Sequence, residues 1–264
     1  MPALFFDCDG VLADTERYGH LPAFNETFEQ EGLPVRWSEA DYADKLLIGG
    51  GKERMGSLLT NDFVREHGLP SASDPDGQRD LLARWHRSKT AAYKARVQAG
   101  EMPGRPGIAR MVDEALGAGW TLAVASTSAE ESVRAVLEHV VGERNAAHFS
   151  VLAGDVVPAK KPDPAIYALA LERTGADPDE TIVLEDSRNG LLAAVAAGLR
   201  CVVTVSSYTL KEDFSESVLV LSSLGDPGEP ARVLTNRGPA EPGEIVTLED
   251  LQASLQVPAP QEVT

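Results

Sequence analysis

Leu4-Phe5-Phe6-Asp7-Cys8-Asp9-Gly10-Val11-Leu12 is the stretch on which the fold turns. Residues 4–6 read as an apolar strand. Two carboxylates follow, two residues apart, then a Gly and further apolar residues. Side chains alternate along a strand, so residues i and i+2 point the same way. If the chain stays extended to Asp9, both carboxylates converge just past the strand's C-terminal edge. Open α/β sheets bind ligands there. Carboxylates so placed repel unless a cation or a shared proton is present. The competing reading is a polar turn, since Asp and Gly are common in turns.

The rest of the chain supplies the sheet around this strand. From residue 106 onward apolar strands alternate with amphipathic helices. Pro106 can open a helix that carries Ile108, Met111, Val112, Ala115 and Leu116 on one face. Strands are expected at 122–125, 149–152, 181–184 and 201–205, with helices at 164–174 and from 187 to Gly198. Such alternation predicts a Rossmann-like parallel sheet with helices on both faces. Residues 15–95 differ. Phe24 and Phe28, Phe63 and Val64, and Leu81 and Trp85 mark helices with no convincing strand between them. Residues 69–78 read as a loop. The expected organisation is an α/β core of residues 1–14 and 96–264, interrupted by a small helical domain at 15–95. Within that core, 225–264 is expected to be an irregular extension, although 245–255 could add a short strand and helix.

Composition narrows the function. The 264 residues include 24 basic and 41 acidic side chains, a formal charge of −17. This disfavours nucleic acid and anionic membrane as partners. There is no run of 18 apolar residues to cross a bilayer and no basic leader, so a cytoplasmic location is expected. An organelle stroma after removal of a transit peptide would look the same. Cys8 and Cys201 read as small buried hydrophobes. A monomer is expected. An anionic substrate would need a local basic pocket, which makes the few Lys and Arg clusters worth locating.

Polar groups recur at the strand ends: Asp7/Asp9, Ser126/Thr127 and Glu185/Asp186, with Lys160-Lys161-Pro162 just before a helix. Carboxylates from two strands suit a hard cation such as Mg²⁺. A hydroxyl and a Lys can hold phosphate oxygens. The set describes phosphoryl transfer. Taken singly, Ser126 and Asp186 could each be a helix N-cap, and one of the paired lysines could simply be solvated.

In this order the motifs resemble the haloacid-dehalogenase-like phosphatase superfamily. The matching residues are Asp7-Cys8-Asp9-Gly10-Val11-Leu12, Ser126, Lys161-Pro162 and Glu185-Asp186-Ser187 with Gly190 behind. The resemblance implies that Asp7 is the nucleophile and Asp9 the acid and base. It implies Mg²⁺ on the Asp7 carboxylate, the Asp9 carbonyl and Asp186, with Glu185 supporting the metal's water shell. Ser126 and Lys161 would hold the non-bridging oxygens. The presence of Asp9 argues against dehalogenation, because the dehalogenase branch lacks the second Asp.

In this superfamily an insert after the first motif is a cap that closes over the site. Here Asp14-Thr15-Glu16, Ala23 to Phe28, Gly49-Gly50-Gly51-Lys52-Glu53-Arg54 and Lys89-Thr90 resemble the CbbY-type branch, similar to phosphatases for xylulose-1,5-bisphosphate. The branch's substrate contacts map onto Glu16, Tyr42, the loop Gly50, Gly51, Lys52, Glu53, Arg54, the segment His86 to Lys89, and Ser126, Thr127, Ser128. Lys52, Arg54 and Lys89 would grip the phosphate distant from the metal. Read without the resemblance, 49–54 is a helix–helix loop with a solvated Lys/Glu/Arg start. A β-phosphoglucomutase-like mutase shares the same motifs, and other small sugar phosphates fit the same cap. A non-catalytic receiver-like phosphate module is the reading from another class; Asp9 and the insert argue against it.

Overall fold

The computed structural model describes residues 2–48 and 50–258. Among the described residues seven strands form one sheet: β1 (Ala3–Phe6), β2 (Thr121–Ser126), β3 (Phe149–Ala153), β4 (Thr181–Glu185), β5 (Arg200–Thr204), β6 (Leu219–Leu221) and β7 (Val233–Asn236). The order is β3-β2-β1-β4-β5-β6-β7, parallel except for β7. β1 is buried along its whole length because helices cover both faces, which is why it reads as an unbroken apolar run. It pairs with β2 through Phe5↔Ala123 and with β4 through Phe5↔Val183. The chain order reverses at β1, so the C-terminal ends of β1, β2 and β4 border one crevice.

The chain divides into two compact units, 1–15 with 102–264 and 16–101. The second is helical: a π-helical turn at Glu16–His20, then α1 (Leu21–Gln30), α2 (Glu39–Leu46), α3 (Gly51–Gly56), α4 (Asn61–Glu66) and α5 (Pro75–Gln98). Its centre is aromatic. Phe24 lies 5.2 Å from Trp37 and 5.7 Å from Tyr42 between ring centroids, and Phe28 meets Trp37 edge-on at 4.8 Å.

The first unit adds α6 (Ile108–Gly117), α7 (Glu130–Val141), α8 (Glu143–Ala146), α9 (Ala165–Thr174), α10 (Arg188–Ala196) and α11 (Leu248–Ser254). α9 and α10 pack Ile166, Tyr167, Ala170, Leu191 and Ala194 against Phe5, Ala123, Ala125, Val183 and Val203. The alternate residues Leu4, Phe6, Val124 and Leu184 point to the opposite face, equally buried. Cys8 and Cys201 are free and buried. Among the described residues no helix is long and apolar enough to cross a membrane.

Several boundaries differ from the sequence expectation. Residues 75–78 are helical, because Asp74 accepts the Gly77 N–H at 2.9 Å and Pro75 suits the first turn. The cut expected at 95 falls inside α5, which runs to Gln98. Pro106 lies outside α6, which opens at Ile108 with Gly107 as its N-cap. Residues 225–258 are not wholly irregular: β7 pairs antiparallel with β6, and α11 opens on a Thr247/Asp250 capping box. α2 and α3 went unread because both are short. Residues 259–264 and Gly49 lie outside the described residues.

Candidate active site

β1 and β4 are neighbours, so Asp7 and the pair Glu185-Asp186 leave the sheet side by side. The Asp7 N–H still donates to the Leu184 carbonyl at 2.9 Å, carrying the ladder one residue past β1. Lys161 reaches in from the loop ahead of α9. Its ammonium donates to Asp7 Oδ1 at 2.6 Å, Glu185 Oε1 at 2.6 Å and the Ala125 carbonyl at 2.8 Å. Three acceptors saturate an ammonium's three donors. The Tyr167 hydroxyl donates to Glu185 Oε1 at 2.5 Å, and its ring lies 4.9 Å from the Lys161 nitrogen.

Oxygens of Asp7, Glu185 and Asp186 lie within 4.8 Å of one another, all buried. Like charges at that distance repel by about 3 kcal/mol per pair at an effective protein dielectric. One lysine cannot neutralise three carboxylates. Burial pushes the Asp7 carboxyl up to about 7 despite the Lys161 ammonium, with Glu185 and Asp9 adding to the rise. Burial, then Asp7 and Glu185, raises Asp186 well above the ordinary carboxylate range. Burial works against the Lys161 charge, yet Asp7 and Glu185 outweigh it and raise its pKa. An all-oxygen donor set with surplus negative charge fits a hard divalent cation. Asp7 and Asp186 could hold one. Glu185 is committed to Lys161 and Tyr167.

Two glycines make room for these carboxylates. A Cβ on Gly10, whose φ is +83°, would lie 2.0 Å from Asp186 Oδ2. A Cβ on Gly190 would lie 2.0 Å from the Glu185 carboxyl carbon. Neither position tolerates a side chain without displacing an acid.

Asp9 is not one of these three mutually close carboxylates, although its charge reaches Asp7. β1 ends at Phe6, and the backbone then turns: Leu12 N–H donates to the Cys8 carbonyl and Gly10 N–H to Ala13. Strand alternation therefore stops before Asp9. Its carboxylate accepts from the Thr15 hydroxyl at 2.5 Å and from the Ser128 hydroxyl. Ser126 accepts the Ser128 N–H at 3.1 Å and is buried, while Thr127 is half-buried. Neither Ser126 nor Asp186 is a helix cap: Ala129 and Ser187 occupy those positions.

The helical unit forms its own polar cluster. The Tyr42 hydroxyl donates to Glu16 at 2.5 Å and accepts from Arg54 at 3.0 Å. Arg54 lies 3.6 Å from Glu16 and also donates to the Ile48 carbonyl. Residues 50–54 are not a loop: Gly50, with φ +93°, is the N-cap of α3. The Glu53 carboxylate folds back so that a Cβ on Gly50 would lie 2.1 Å from it. Gly51 packs against His86 and Phe24, while Lys52 is exposed. Lys89 is buried, its ammonium 2.6 Å from His20 Nδ1 and 5.0 Å from the Phe24 ring centroid. The His20 ring is stacked on Tyr93. Burial, then the Lys89, Arg54 and His86 charges, holds His20 well below its ordinary pKa, so the neutral ring accepts from Lys89. Burial and the Lys89 and Lys52 charges lower His86 as well.

Sequence reading missed Thr15, His20, Arg105, Tyr167 and Ser206. Tyr167 had a signal, being three residues before the inward-facing Ala170 on the same helix. Thr15 lay within a quoted motif without a role. Nothing local marks His20, Arg105 or Ser206.

Comparison with known proteins agrees with this geometry. The haloacid dehalogenase-like hydrolase family model matches residues 1–198. The CBBY-like protein of Arabidopsis thaliana is 45% identical over 229 residues, covering 86% of this chain and 70% of that protein. The crystal structure of CbbY from Rhodobacter sphaeroides with phosphate superposes with a TM-score of 0.69 at 41% identity, covering 84% of this chain and 95% of the other. A mutant of that CbbY, in complex with xylulose-(1,5)bisphosphate, superposes with a TM-score of 0.69 at 40% identity and the same coverage. The chain belongs to the haloacid dehalogenase-like hydrolase family. It is a hydrolase of the phosphatase kind.

Proposed function

We propose that the chain is a Mg²⁺-dependent phosphatase that converts xylulose-1,5-bisphosphate to xylulose 5-phosphate through an aspartyl phosphate. The observation that carries the chemistry is the division between two acids two residues apart. Asp7 lies on Lys161 among the clustered carboxylates, and Asp9 lies outside them on two hydroxyls. The substrate assignment is supported by 40% identity to a CbbY crystallised with that bisphosphate.

Asp7 attacks phosphorus in line, forming the acyl phosphate while the sugar oxygen leaves. Asp9 protonates that oxygen, then takes a proton from the water that hydrolyses the intermediate. Thr15 and Ser128 hold the Asp9 carboxylate beforehand. Ser126 and Lys161 stabilise the non-bridging oxygens, and Glu185 with Tyr167 fixes the Lys161 ammonium. Asp7, the Asp9 carbonyl and Asp186 would hold Mg²⁺, which supplies charge neutralisation for the phosphoryl group and the carboxylates. In the helical unit, Lys52, Arg54 and Lys89 recognise the phosphate that is not hydrolysed, while Glu16 and Tyr42 orient Arg54. Two phosphates then account for basic residues in a chain of strong negative charge.

The test is phosphate release from sugar mono- and bisphosphates with and without Mg²⁺. Xylulose-1,5-bisphosphate is expected to give the highest kcat/KM, with one equivalent of phosphate released. A higher kcat/KM for a monophosphate would overturn the substrate assignment. Conversion of β-glucose 1-phosphate to an isomeric ester, without free phosphate, would make the protein a mutase.

A further inference from the structure

Arg105 has no part in the chemistry above, yet its backbone and side chain both hold the turn after β1. Ala13 bridges Gly104, and the Arg105 N–H donates to the Leu12 carbonyl at 2.9 Å. The Arg105 guanidinium then gathers three backbone carbonyls. Nη1 donates to Gly10 at 2.8 Å, and Nη2 donates to Val205 at 2.7 Å and Ser222 at 2.6 Å. These carbonyls belong to the turn after β1, the end of β5 and the end of β6. A planar guanidinium holds its donors in a fixed fork that fits them, where an ammonium is a compact point charge on a flexible stem.

Two of them flank one carboxylate. Gly10 is the floor under Asp186, since even a Cβ there would lie 2.0 Å from its Oδ2. Val205 precedes Ser206, whose hydroxyl works against the rise of the Asp186 carboxyl. The Ser206 N–H is in turn held by the Thr209 hydroxyl at 2.9 Å. Asp186 and Asp14 are the acids whose charges reach Arg105. Burial lowers the guanidinium's pKa, and the two acids work against that fall.

We propose that Arg105 is a positioning residue for the cation site: it locks the Gly10 turn and the Val205–Ser206 loop on either side of Asp186, and so holds that carboxylate ready for a divalent metal. The proposal rests on the reading of Asp7 and Asp186 as metal ligands. Arg105 touches neither metal nor substrate.

The test uses the full-length protein as Arg105→Lys, Arg105→Gln and Ser206→Ala. Mg²⁺ binding is measured by titration calorimetry without substrate, alongside Tm and steady-state kinetics. Second-sphere losses of this kind weaken metal affinity about 10- to 100-fold. Both Arg105 variants are expected to fall in that range, and Ser206→Ala to shift the same way. At saturating Mg²⁺, KM for substrate stays near wild type. A lowered Tm with unchanged Mg²⁺ affinity in the Arg105 variants would make the residue a scaffold only and overturn the proposal. Should they fail to fold, unchanged affinity in Ser206→Ala would overturn it instead. If the wild type binds no Mg²⁺, the cation reading itself fails and the positioning role falls with it.

Discussion

The carboxylate–lysine cluster of the α/β unit and the Glu16–Tyr42–Arg54 and Lys89–His20 clusters of the helical unit are built by opposite means. Asp7 and Glu185 are fixed by a parallel ladder whose register admits no slip, because both faces of the sheet are buried. Lys161 meets them on carboxylates and a backbone carbonyl, deep in the protein. In the helical unit side chain holds side chain. Arg54 depends on Tyr42, Tyr42 on Glu16, and Lys89 on His20 and two aromatic rings. The first arrangement suits chemistry, where small displacements are costly. The second suits recognition, where a lost contact weakens binding by a graded amount.

Breaking the first cluster should produce the largest effects. Asp7→Asn is expected to lower kcat by roughly 10⁴-fold or more, the scale of losing a nucleophile. Substrate binding, measured by calorimetry, should largely persist. Wild-type turnover in that variant would remove Asp7 from the nucleophile role. Lys161→Ala leaves Asp7 and Glu185 without their counter-charge. Breaking a buried pair in this way costs about 3–5 kcal/mol. Urea denaturation of the metal-free protein should register the loss, and a midpoint like that of the wild type would mean the cluster relaxes by protonation.

The helical unit should respond more gently. Lys52→Ala and Arg54→Ala are each expected to raise KM for a bisphosphate by about tenfold, the scale of one charged hydrogen bond. The effect on a monophosphate should be smaller. Equal effects on both would detach α3 from recognition of a second phosphate.

The smallest effect is a pH slope. His20 titrates well below its ordinary 6.5 in the folded protein. The unfolded chain therefore takes up a proton that the folded chain refuses. This contribution to stability is complete above about pH 6.5 and is lost as pH falls below it. Tm should drop between about pH 7.5 and 5.5, and less steeply in His20→Gln. His86 works in the same direction and Asp7, raised by burial, in the opposite one, but both are common to the two proteins. Parallel slopes would place His20 outside the linkage.

The two units also differ in how far sequence reached. The three strand-end motifs were legible because each is a local event: an apolar run, then a polar residue at the end of the strand. At Asp9 the strand period no longer holds, since a turn beginning one residue after Asp7 breaks it without any local sign beyond Gly10. Residues 50–54 read as a loop because one and a half turns are too short for periodicity, and the N-cap role of Gly50 depends on Glu53 folding back over it. The strand at 233–236 was lost in a Pro/Gly-rich surround, and only pairing with β6 makes it a strand.

Sequence alone determined the α/β class, from the alternation of apolar strands and amphipathic helices, and the haloacid-dehalogenase resemblance, which marks Asp7, Asp9, Ser126, Lys161, Glu185 and Asp186 because its motifs are short and local. Tertiary structure decided which acid shares Lys161, which is held by hydroxyls, and which residues support them. Tyr167 reaches Glu185 across 18 positions, Lys89 reaches His20 across 69, and Arg105 reaches Ser222 across 117. Contacts of that range are set by how the strands and helices pack, and no local pattern records them.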